Sequence, residues 1–300
     1  MDYISLNKYL RDTFGEKVYK IALDGGFTCP NRDGKIGYGG CIFCSGEGSG
    51  DFAENASLSI TEQIERGKSR VEKKMPSGKR GKYIAYFQAF TNTYGPIDKL
   101  RRLFTEAINH PDVVAISIGT RPDCLGLDST NSDILTLLSE LNHIKPVWIE
   151  LGLQTTKEDS VKYIRRGYPT IVYDNAVVAL RERNINVITH VILGLPGETK
   201  EDMIRTVKHV AEVHSDGIKL QLLHVLKGTD LAKDYEMGNF QTLTLDEYVD
   251  IVVSCLKVLP PEMVIHRITG DGNKNSLIAP LWSGDKKRVL NTLNAAIRNA

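Results

Sequence analysis

Short runs of apolar residues alternate with amphipathic segments along the whole chain. Six of these runs predict β-strands, because they are rich in β-branched residues and apolar on both faces. They span Val18–Leu23, Tyr83–Phe90, Val113–Ile118, Val147–Leu153, Val187–Leu193 and Ile218–His224. Strands of this kind are typical of parallel sheets that helices cover on both sides. The pattern therefore predicts an α/β fold.

The segments between these strands carry signals for the starts of helices. Ser59–Glu62 and Thr244–Glu247 have the pattern of a capping box, and Thr199–Asp202 is the acidic variant of the same start. Six strand–helix repeats imply either a barrel or an open doubly wound sheet. The hydrophobic pattern alone does not separate these two arrangements.

Length and hydropathy favour one large domain. The chain has 300 residues, of which 41% are hydrophobic, so it can bury a full core. No stretch approaches the roughly 18 consecutive apolar residues of a membrane span, and Met1–Ile4 lacks the basic-then-apolar plan of a signal peptide. We therefore expect a cytoplasmic protein without a membrane partner.

The formal net charge of only +1 gives the protein no overall electrostatic attraction to nucleic acid. Locally, the segment Lys68–Lys82 carries seven basic residues against the single acid Glu72. It is either an edge that contacts RNA phosphates or a solvated helix end and loop. Five cysteines, an odd number in a chain without export signals, argue against a disulfide framework and leave metal ligation or burial.

Three of the cysteines lie in the glycine-rich stretch Gly25–Gly50, which interrupts the strand–helix rhythm. Cys29, Cys41 and Cys44 form a C-x11-C-x2-C pattern on the loop after the first predicted strand. In parallel α/β folds, such loops build the active site. Three thiolates on a four-iron cube leave one iron without a protein ligand, and a substrate or cofactor can bind there.

Other uses of these cysteines are open on the pattern alone. A zinc site with an added histidine is one, although the nearest downstream histidine is His110. Simple burial is another, but a polar glycine-rich loop offers no core for three thiols. Cys255 lies in an apolar helical stretch and Cys124 follows Asp123, and we expect both to be buried.

The cysteine pattern, with Phe43 before its last cysteine, resembles the cluster motif of radical S-adenosylmethionine (radical SAM) enzymes. The long first spacing resembles the branch that contains the elongator catalytic subunit. Further segments resemble the superfamily in the same order along the chain, and the set is most similar to the bacterial YhcC-type (YtqA-like) group. One of them, Leu193–Thr199, is shared with oxygen-independent coproporphyrinogen dehydrogenase. The others are Gln88–Tyr94, Ile118–Asp123, Leu151–Thr155, Arg166–Tyr168, Lys227–Leu231 and His266–Asp271.

The resemblance implies a partial (β/α)6 TIM-type barrel, as a single radical SAM domain over residues 1–300 with a C-terminal extension at about 260–300 packed on the barrel. It implies a 4Fe-4S cluster on Cys29, Cys41 and Cys44, with S-adenosylmethionine bound beside it at the barrel mouth. It also implies an external electron donor such as flavodoxin or ferredoxin.

The resemblance further suggests which residues contact the cofactor. Phe43 would lie near the adenine, Gln88 near the methionine moiety, and Gln154 with Arg166 near the ribose and carboxylate. The two glutamines have a structural alternative, since a glutamine at a strand end also satisfies loop amides.

Two positions depart from the superfamily pattern. Gly119 and His190 stand where relatives often carry Glu and Asp, and Glu150 is the candidate to replace the missing acid. His190 is therefore a candidate cofactor contact, or alternatively a hydrogen-bonded core histidine.

The implied reaction is reductive cleavage of S-adenosylmethionine to a 5′-deoxyadenosyl radical, which abstracts hydrogen from a substrate. Relatives point to the wobble-uridine side chain of tRNA as that substrate. A small molecule or a peptide is the alternative. Two further classes are an iron–sulfur protein for electron transfer and a zinc-dependent RNA-binding module.

Overall fold

The computed structural model describes residues 2–48, 50, 53–72, 81–127, 132–270 and 275–300. The strands are β1 (Ile4–Ser5), β2 (Val18–Leu23), β3 (Lys82–Phe87), β4 (Val113–Thr120), β5 (Val147–Gln154), β6 (Asn186–Leu193), β7 (Gly217–Leu222), β8 (Val225–Leu226), β9 (Val264–Arg267) and β10 (Leu277–Ala279). The helices are α1 (Leu6–Phe14), α2 (Ile60–Glu72), α3 (Ile97–Asn109), α4 (Asp133–Asn142), α5 (Glu158–Tyr163), α6 (Thr170–Arg181), α7 (Lys200–Glu212), α8 (Asp230–Glu236), α9 (Leu245–Lys257) and α10 (Lys286–Asn299).

Eight strands form one curled parallel sheet in the order β1-β9-β7-β6-β5-β4-β3-β2. The run from β2 to β7 follows the chain order, with helices in the connections between consecutive strands. This arrangement is a partial TIM-type barrel and confirms the predicted (β/α)6 fold. In such a fold, the loops at the carboxyl ends of the strands meet at one mouth.

The predicted strands agree with the observed ones, with small errors at both ends and the larger ones at the carboxyl ends. β2 matches at both ends, whereas β3 stops at Phe87 instead of Phe90. Phe90 has a φ of 61°, which a β-strand does not accommodate. The apolar pattern continues into this turn because Ala89 is itself buried, so apolar character alone did not mark the end of the strand.

The three predicted capping boxes are present. Glu62 donates its backbone N–H to Ser59 Oγ (3.2 Å) and accepts the Ser59 backbone N–H (2.8 Å), and the same reciprocal pairs occur at Thr199 and Thr244. These caps fix where α2, α7 and α9 begin. The cap at Ser59 therefore ends the cysteine loop at a defined point beside the sheet.

The amino-terminal end of the barrel is closed by α1. Leu10 of this helix is buried with Val18 and Trp148, and the ring of Tyr9 lies 6.0 Å from that of Trp148. The main apolar core fills the space between the sheet and its outer helices. A ligand can therefore reach the inside of the barrel from the opposite end, where the strands finish.

The C-terminal part of the chain adds a strand to the sheet and a helix to the outer layer of helices. β9 is paired with β7 on one side and β1 on the other, while α10 packs against α9. Among the helices that the structure describes, none has both the length and the apolar character that crossing a bilayer requires.

Candidate active site

A pocket opens at the carboxyl ends of the strands. One wall is the cysteine loop, with Cys29, Cys41 and Cys44, and the other walls come from strand ends such as Gln88 and Gln154. Active sites of barrel folds lie at this end of the sheet. The pocket is therefore the candidate active site.

The cysteine loop connects β2 to α2 and is attached to the barrel at several points. Ile42 is buried, and its backbone N–H donates to the carbonyl of Ile164 (3.2 Å). The carbonyl of Ile42 accepts the backbone N–H of Leu231 (3.0 Å). Phe90 donates its backbone N–H to the carbonyl of Gly48 (2.8 Å). A Cβ on Gly48 would lie 2.3 Å from the ring of Phe90, and Gly48 has a φ of 55°. Only glycine fits there without a shift of the loop.

The three thiols lie close enough to influence one another. Burial raises the pKa of the Cys41 thiol to about 12, and the neighbouring Cys44 and Cys29 thiols add to this effect. Asn31 donates its side-chain N–H to the sulfur of Cys41 at 3.6 Å. Thiols in this state become thiolates when a metal centre supplies compensating positive charge.

The three cysteines lie together on one wall of the pocket. Three thiolates are the protein ligands of a four-iron cube that keeps one iron open for another ligand. The donor set therefore fits such a cube.

Among the described residues, Glu65, His110 and Asp112, on the far side of the barrel, lie close enough together to hold a metal ion. The ammonium of Lys68 lies between its carboxylates, 2.8 Å from Glu65 and 2.6 Å from Asp112. A cation already occupies the position that a metal would take, so the cluster is a partly buried ion-pair network, with Glu65 exposed.

The predicted cofactor residues Phe43, Gln88, Gln154 and Arg166 all line the pocket. Gln154 has a φ of 67°, and its side-chain carbonyl is buried without a hydrogen-bond partner among the described residues. An unpaired buried amide in a strained backbone conformation is a feature of ligand sites. The structural alternative, that Gln154 satisfies loop amides, leaves this oxygen unexplained.

Arg166 is buried, and much of its guanidinium is used within the protein. It donates to the carbonyls of Leu153 and Thr155 (2.7 Å each) and to that of Tyr168 (3.1 Å). These bonds join the end of β5 to the turn before α6 and fix the wall on which Gln154 lies. A direct cofactor contact by Arg166 stays a prediction.

Glu150 is the centre of a buried polar layer across the barrel. Its Oε1 accepts from Lys20 and Ser117 (2.7 Å each), and its Oε2 accepts from His190 (2.7 Å) and from Lys219. Burial alone would raise the pKa of Glu150, but Lys20, Lys219 and His190 together hold it well below its usual range. The carboxylate is therefore ionised, and its acceptor sites are filled by four donors.

The hydrogen bonds fix the tautomer of His190. The ionised carboxylate of Glu150 must accept, so His190 carries its proton on Nε2, and Nδ1 accepts from the side-chain amide of Gln221 at 3.0 Å. Burial and the charge of Lys219 lower the pKa of His190 to about 4, although Glu150 opposes them. His190 is therefore a neutral imidazole with both ring nitrogens paired.

Gly119 and His190, the two positions that depart from the superfamily pattern, both adjoin Glu150. Gly119 and Glu150 are register partners on β4 and β5, and an added Cβ on Gly119 would lie 3.3 Å from the carbonyl of Phe87. Glu150 thus presents a carboxylate on the neighbouring strand at the level of Gly119. Whether Glu150 or His190 contacts a cofactor stays a prediction, since their described bonds are to other side chains.

Sequence reasoning missed Lys20, Lys219 and Tyr86 as site residues and gave Arg267 no role. Lys219 lies 3.3 Å from the hydroxyl of Tyr86, and Lys20 lies over the same ring at 4.8 Å. A usable signal was present, because Lys20 and Lys219 each interrupt a strand that is otherwise largely apolar. Lysine is rarely buried unless it is paired, so such a position indicates a polar interior.

The described part of the basic segment Lys68–Lys82 lies away from this pocket. Lys68 pairs with Asp112, just before β4, and Lys82 begins β3 and pairs with Glu16 at 3.2 Å. Both are at the amino-terminal end of the barrel. Four other basic residues of the segment lie outside the described residues, namely Lys73, Lys74, Lys79 and Arg80. For Lys68 and Lys82, the interpretation as a solvated or ion-paired helix end and loop fits better than an RNA-binding edge at the mouth.

Cys124 and Cys255 are buried, as expected. Cys255 lies within α9 in the main core, and burial raises its pKa to about 12. Burial, with help from Asp123, raises the pKa of Cys124 to about 12 as well.

Comparison with known proteins agrees with this geometry. Residues 29–210 match the family model of the Radical SAM superfamily, and residues 215–299 match that of the Radical SAM C-terminal domain. YtqA of Bacillus subtilis is 48% identical over 297 residues, which cover 99% of this chain and 90% of that protein. YhcC of Escherichia coli is 38% identical over 270 residues, 90% of this chain and 84% of that protein.

More distant matches extend the comparison. A tRNA uridine(34) acetyltransferase of Methanocaldococcus jannaschii is 24% identical over 161 residues, which are 53% of this chain and 28% of that enzyme. Among solved structures, the elongator protein 3 of Methanocaldococcus infernus has a TM-score of 0.66 at 17% identity, covering 93% of this chain and 63% of that one. Coproporphyrinogen III oxidase of Escherichia coli has a TM-score of 0.54 at 16% identity, and the match covers 83% of this chain and 54% of that one.

The two structural likenesses establish the fold alone, whereas the family match and the two bacterial relatives establish descent. The superfamily model spans well over half of the chain, and both bacterial relatives exceed 30% identity across most of it. The chain therefore belongs to the radical SAM superfamily.

Proposed function

We propose that this protein cleaves S-adenosylmethionine reductively, using a 4Fe-4S cluster held by Cys29, Cys41 and Cys44. The observation that carries the proposal is the placement of these three thiols on one wall of a pocket at the carboxyl ends of the strands. When both cofactors are bound, they supply a 5′-deoxyadenosyl radical that abstracts hydrogen from a substrate.

Cys29, Cys41 and Cys44 would hold the cluster, and neighbouring residues of this chain support them. The side-chain N–H of Asn31 stabilises the Cys41 thiolate, because a hydrogen bond to a charged sulfur favours the charged form. Arg32 donates to the carbonyl of Cys44 at 3.3 Å and lies over the ring of Phe90. These contacts fix the turn between the second and third ligands.

Other pocket residues would then orient S-adenosylmethionine. Phe43 offers an apolar face for the adenine, and Gln88 and Gln154 offer amides for the methionine and ribose parts. The unpaired side-chain oxygen of Gln154 is an acceptor for a ribose hydroxyl or for the amino group. Arg166 supports this wall, and Glu150 and His190, predicted as further contacts, lie deeper in the same pocket.

Formation of 5′-deoxyadenosine tests the chemistry. Anaerobically reconstituted protein should bind iron and sulfide and, with S-adenosylmethionine and reduced flavodoxin or dithionite, produce 5′-deoxyadenosine. Cys44→Ala should abolish the product, and the matched substitution Cys255→Ala, in the core of α9, should preserve it. Oxygen-free protein that contains zinc and neither iron nor sulfide would overturn the proposal.

We further propose that the substrate is the wobble-uridine side chain of tRNA. The support is the likeness over about half the chain to a tRNA uridine(34) acetyltransferase. Nucleosides of tRNA from cells that lack this protein should show a changed wobble uridine by mass spectrometry. An unchanged profile would remove tRNA as the substrate and leave a small molecule or a peptide.

A further inference from the structure

Asn31 is a buried amide that lies between Cys29 and Cys41 in the sequence. Its exposed fraction is 4%, so almost all of its side chain is enclosed by the protein. Its side-chain nitrogen donates to the carbonyl of Arg165 at 2.5 Å and to the sulfur of Cys41 at 3.6 Å. An amide nitrogen carries two hydrogens, so each of these two acceptors can take one of them.

The surroundings of Asn31 fix which end of the amide faces the sulfur. Its oxygen Oδ1 lies beside Gly37, where an added Cβ would be only 2.8 Å away. A turned amide would place this oxygen against the carbonyl of Arg165, and neither oxygen could donate to the other. The N–H is therefore held towards Cys41, and the small size of Gly37 leaves room for this orientation.

The backbone around Asn31 also holds the amide in place. The carbonyl of Asn31 accepts the backbone N–H of Gly40 at 2.8 Å, which ties the residue to the chain just before Cys41. Arg165, whose carbonyl takes the other side-chain hydrogen, precedes Arg166, and the guanidinium of Arg166 is bonded to the end of β5. The N–H that faces the sulfur therefore has a set position between the ligand loop and the barrel wall.

A hydrogen bond to a ligand sulfur acts more strongly on a reduced cluster than on an oxidised one. An added electron makes the cluster and its thiolate sulfurs more negative, and a donor is bound more tightly by a more negative acceptor. The enclosed position of Asn31 strengthens this effect, because water screens it little. Hydrogen bonds to the sulfurs are among the factors that set the reduction potentials of iron–sulfur clusters.

We propose that Asn31, through its hydrogen bond to Cys41, raises the reduction potential of the cluster and so keeps it reducible by the external electron donor. The step concerned transfers one electron: the donor is oxidised, the cluster is reduced, and no bond to Asn31 forms or breaks. The inference rests on the proposed function, because it requires the cluster. Asn31 is a positioning residue, since it acts through Cys41 and does not itself line the pocket.

The midpoint potential tests this inference without a measurement of turnover. Reconstituted protein without S-adenosylmethionine would be poised at a series of potentials, and the reduced cluster would be followed by electron paramagnetic resonance. Asn31→Leu keeps a branched side chain and removes both N–H groups. It should shift the equilibrium at least threefold towards the oxidised cluster, which lowers the midpoint potential by about 28 mV or more for one electron. A smaller shift, or a rise in the potential, would overturn the proposal.

Gln63→Met is the matched control for Asn31→Leu. Gln63 is fully buried, donates to the carbonyls of Asp24 and Leu58 and accepts the backbone N–H of Asp24. These bonds hold the two ends of the cysteine loop together, and they involve none of the cysteines. The control should therefore leave the midpoint potential unchanged. An equal drop in both variants would assign the effect to a loosened loop and overturn the proposal.

A second pair of variants keeps the proposal testable if Asn31→Leu loses iron. Gly37→Ala retains the amide but places a methyl group 2.8 Å from its oxygen, so the amide must move. The midpoint potential should fall in this variant. Gly46→Ala, whose added Cβ meets no atom within 4 Å, should leave it unchanged. Equal potentials in these two variants would overturn the role of Asn31.

Iron and sulfide analysis separates this inference from the proposed function. Protein that contains zinc and neither iron nor sulfide would refute the cluster and, with it, the role of Asn31. Protein that holds the cluster and forms 5′-deoxyadenosine, with the same midpoint potential in wild type and Asn31→Leu, would refute the role of Asn31 alone.

Discussion

His190 donates its Nε2 proton to Oε2 of Glu150 across 2.7 Å, and this bond joins β5 to β6 inside the barrel. Glu150 is the single anion to which Lys20 and Lys219 also donate. One carboxylate therefore organises the polar side chains inside the barrel. The stability of the fold and the protonation of Lys219 are expected to depend on it.

Removal of this carboxylate should destabilise the fold strongly. Glu150→Gln leaves Lys20 and Lys219 without their shared partner, and breaking a buried ion pair on one side costs about 3–5 kcal/mol. Urea unfolding should show a loss of this size in the free energy of unfolding. The same substitution at Glu140, an exposed partner of Arg101, should cost less than about 1 kcal/mol. Equal effects at both positions would contradict the central role of Glu150.

Substitution of Gly48 is expected to reduce the amount of iron that the cysteine loop retains. Gly48→Ala places a methyl group 2.3 Å from a ring atom of Phe90 at a φ of 55°, so the cysteine loop must shift. A left-handed conformation costs a non-glycine residue about 1–2 kcal/mol before any clash. Iron per chain after reconstitution should fall severalfold, with thermal stability of the barrel little changed.

Gly46 provides the matched control for this substitution. It lies in the same loop, but an added Cβ there meets no atom within 4 Å and the backbone is not left-handed. Gly46→Ala should bind iron like the wild type. If both variants retain iron equally, the contact between Gly48 and Phe90 does not order the ligand loop.

Much of this architecture was visible in the sequence because burial on both faces gives parallel strands a continuous apolar signal. β2 and the three capping boxes were placed correctly, and the cysteine loop was placed at the correct end of the barrel. The two-residue strand β1 and the four-residue β9 were missed. Elements this short owe their existence to pairing with each other and with β7, which no local pattern encodes.

The polar layer was only partly predictable for a related reason. His190 was singled out because it stands where superfamily relatives often carry Asp, and Glu150 because it could replace the missing acid. Their mutual bond depends on the register between β5 and β6, which includes an irregularity near Gly152. Lys20 and Glu150 are 130 residues apart and meet because the sheet curls. Periodicity within a segment reports which face is buried, and it does not report what lies across a barrel.

The strained backbone of Gln154 is expected to lower the stability of the fold, whereas its side chain is expected to favour cofactor binding. Its φ of 67° is unfavourable for a side chain, and its buried carbonyl has no partner among the described residues. Gln154→Gly should therefore raise the free energy of unfolding by about 1 kcal/mol and weaken S-adenosylmethionine binding about tenfold. Urea unfolding and equilibrium dialysis with the cofactor measure the two effects.

His214→Gly is the control for Gln154→Gly. His214 has a φ of 57° but is exposed in the turn before β7, at the end of the barrel away from the pocket. The substitution should stabilise the protein to a similar extent without changing cofactor affinity. Unchanged cofactor binding in Gln154→Gly as well would remove Gln154 from the binding site.

The protonation of Lys219 should make stability rise with pH above neutrality. Its pKa is lowered to about 7 by burial and by the charges of Lys20 and Arg267, whereas an unfolded lysine titrates near 10.4. Between these values, the unfolded chain binds a proton at this site that the native protein does not. The unfolded state binds more protons, so the free energy of unfolding increases with pH, by about 1 kcal/mol per pH unit.

Lys219→Met removes that proton from both states, so the difference in unfolding free energy between wild type and variant should grow in favour of the wild type from pH 7.5 to pH 9.5. The same comparison with Lys200→Met, a half-buried lysine paired with Asp250, should show no such trend. Urea titrations at several pH values measure both slopes. A difference for Lys219→Met that is flat with pH would mean that Lys219 keeps its proton throughout, and the barrel interior would then hold a permanent ammonium beside Glu150.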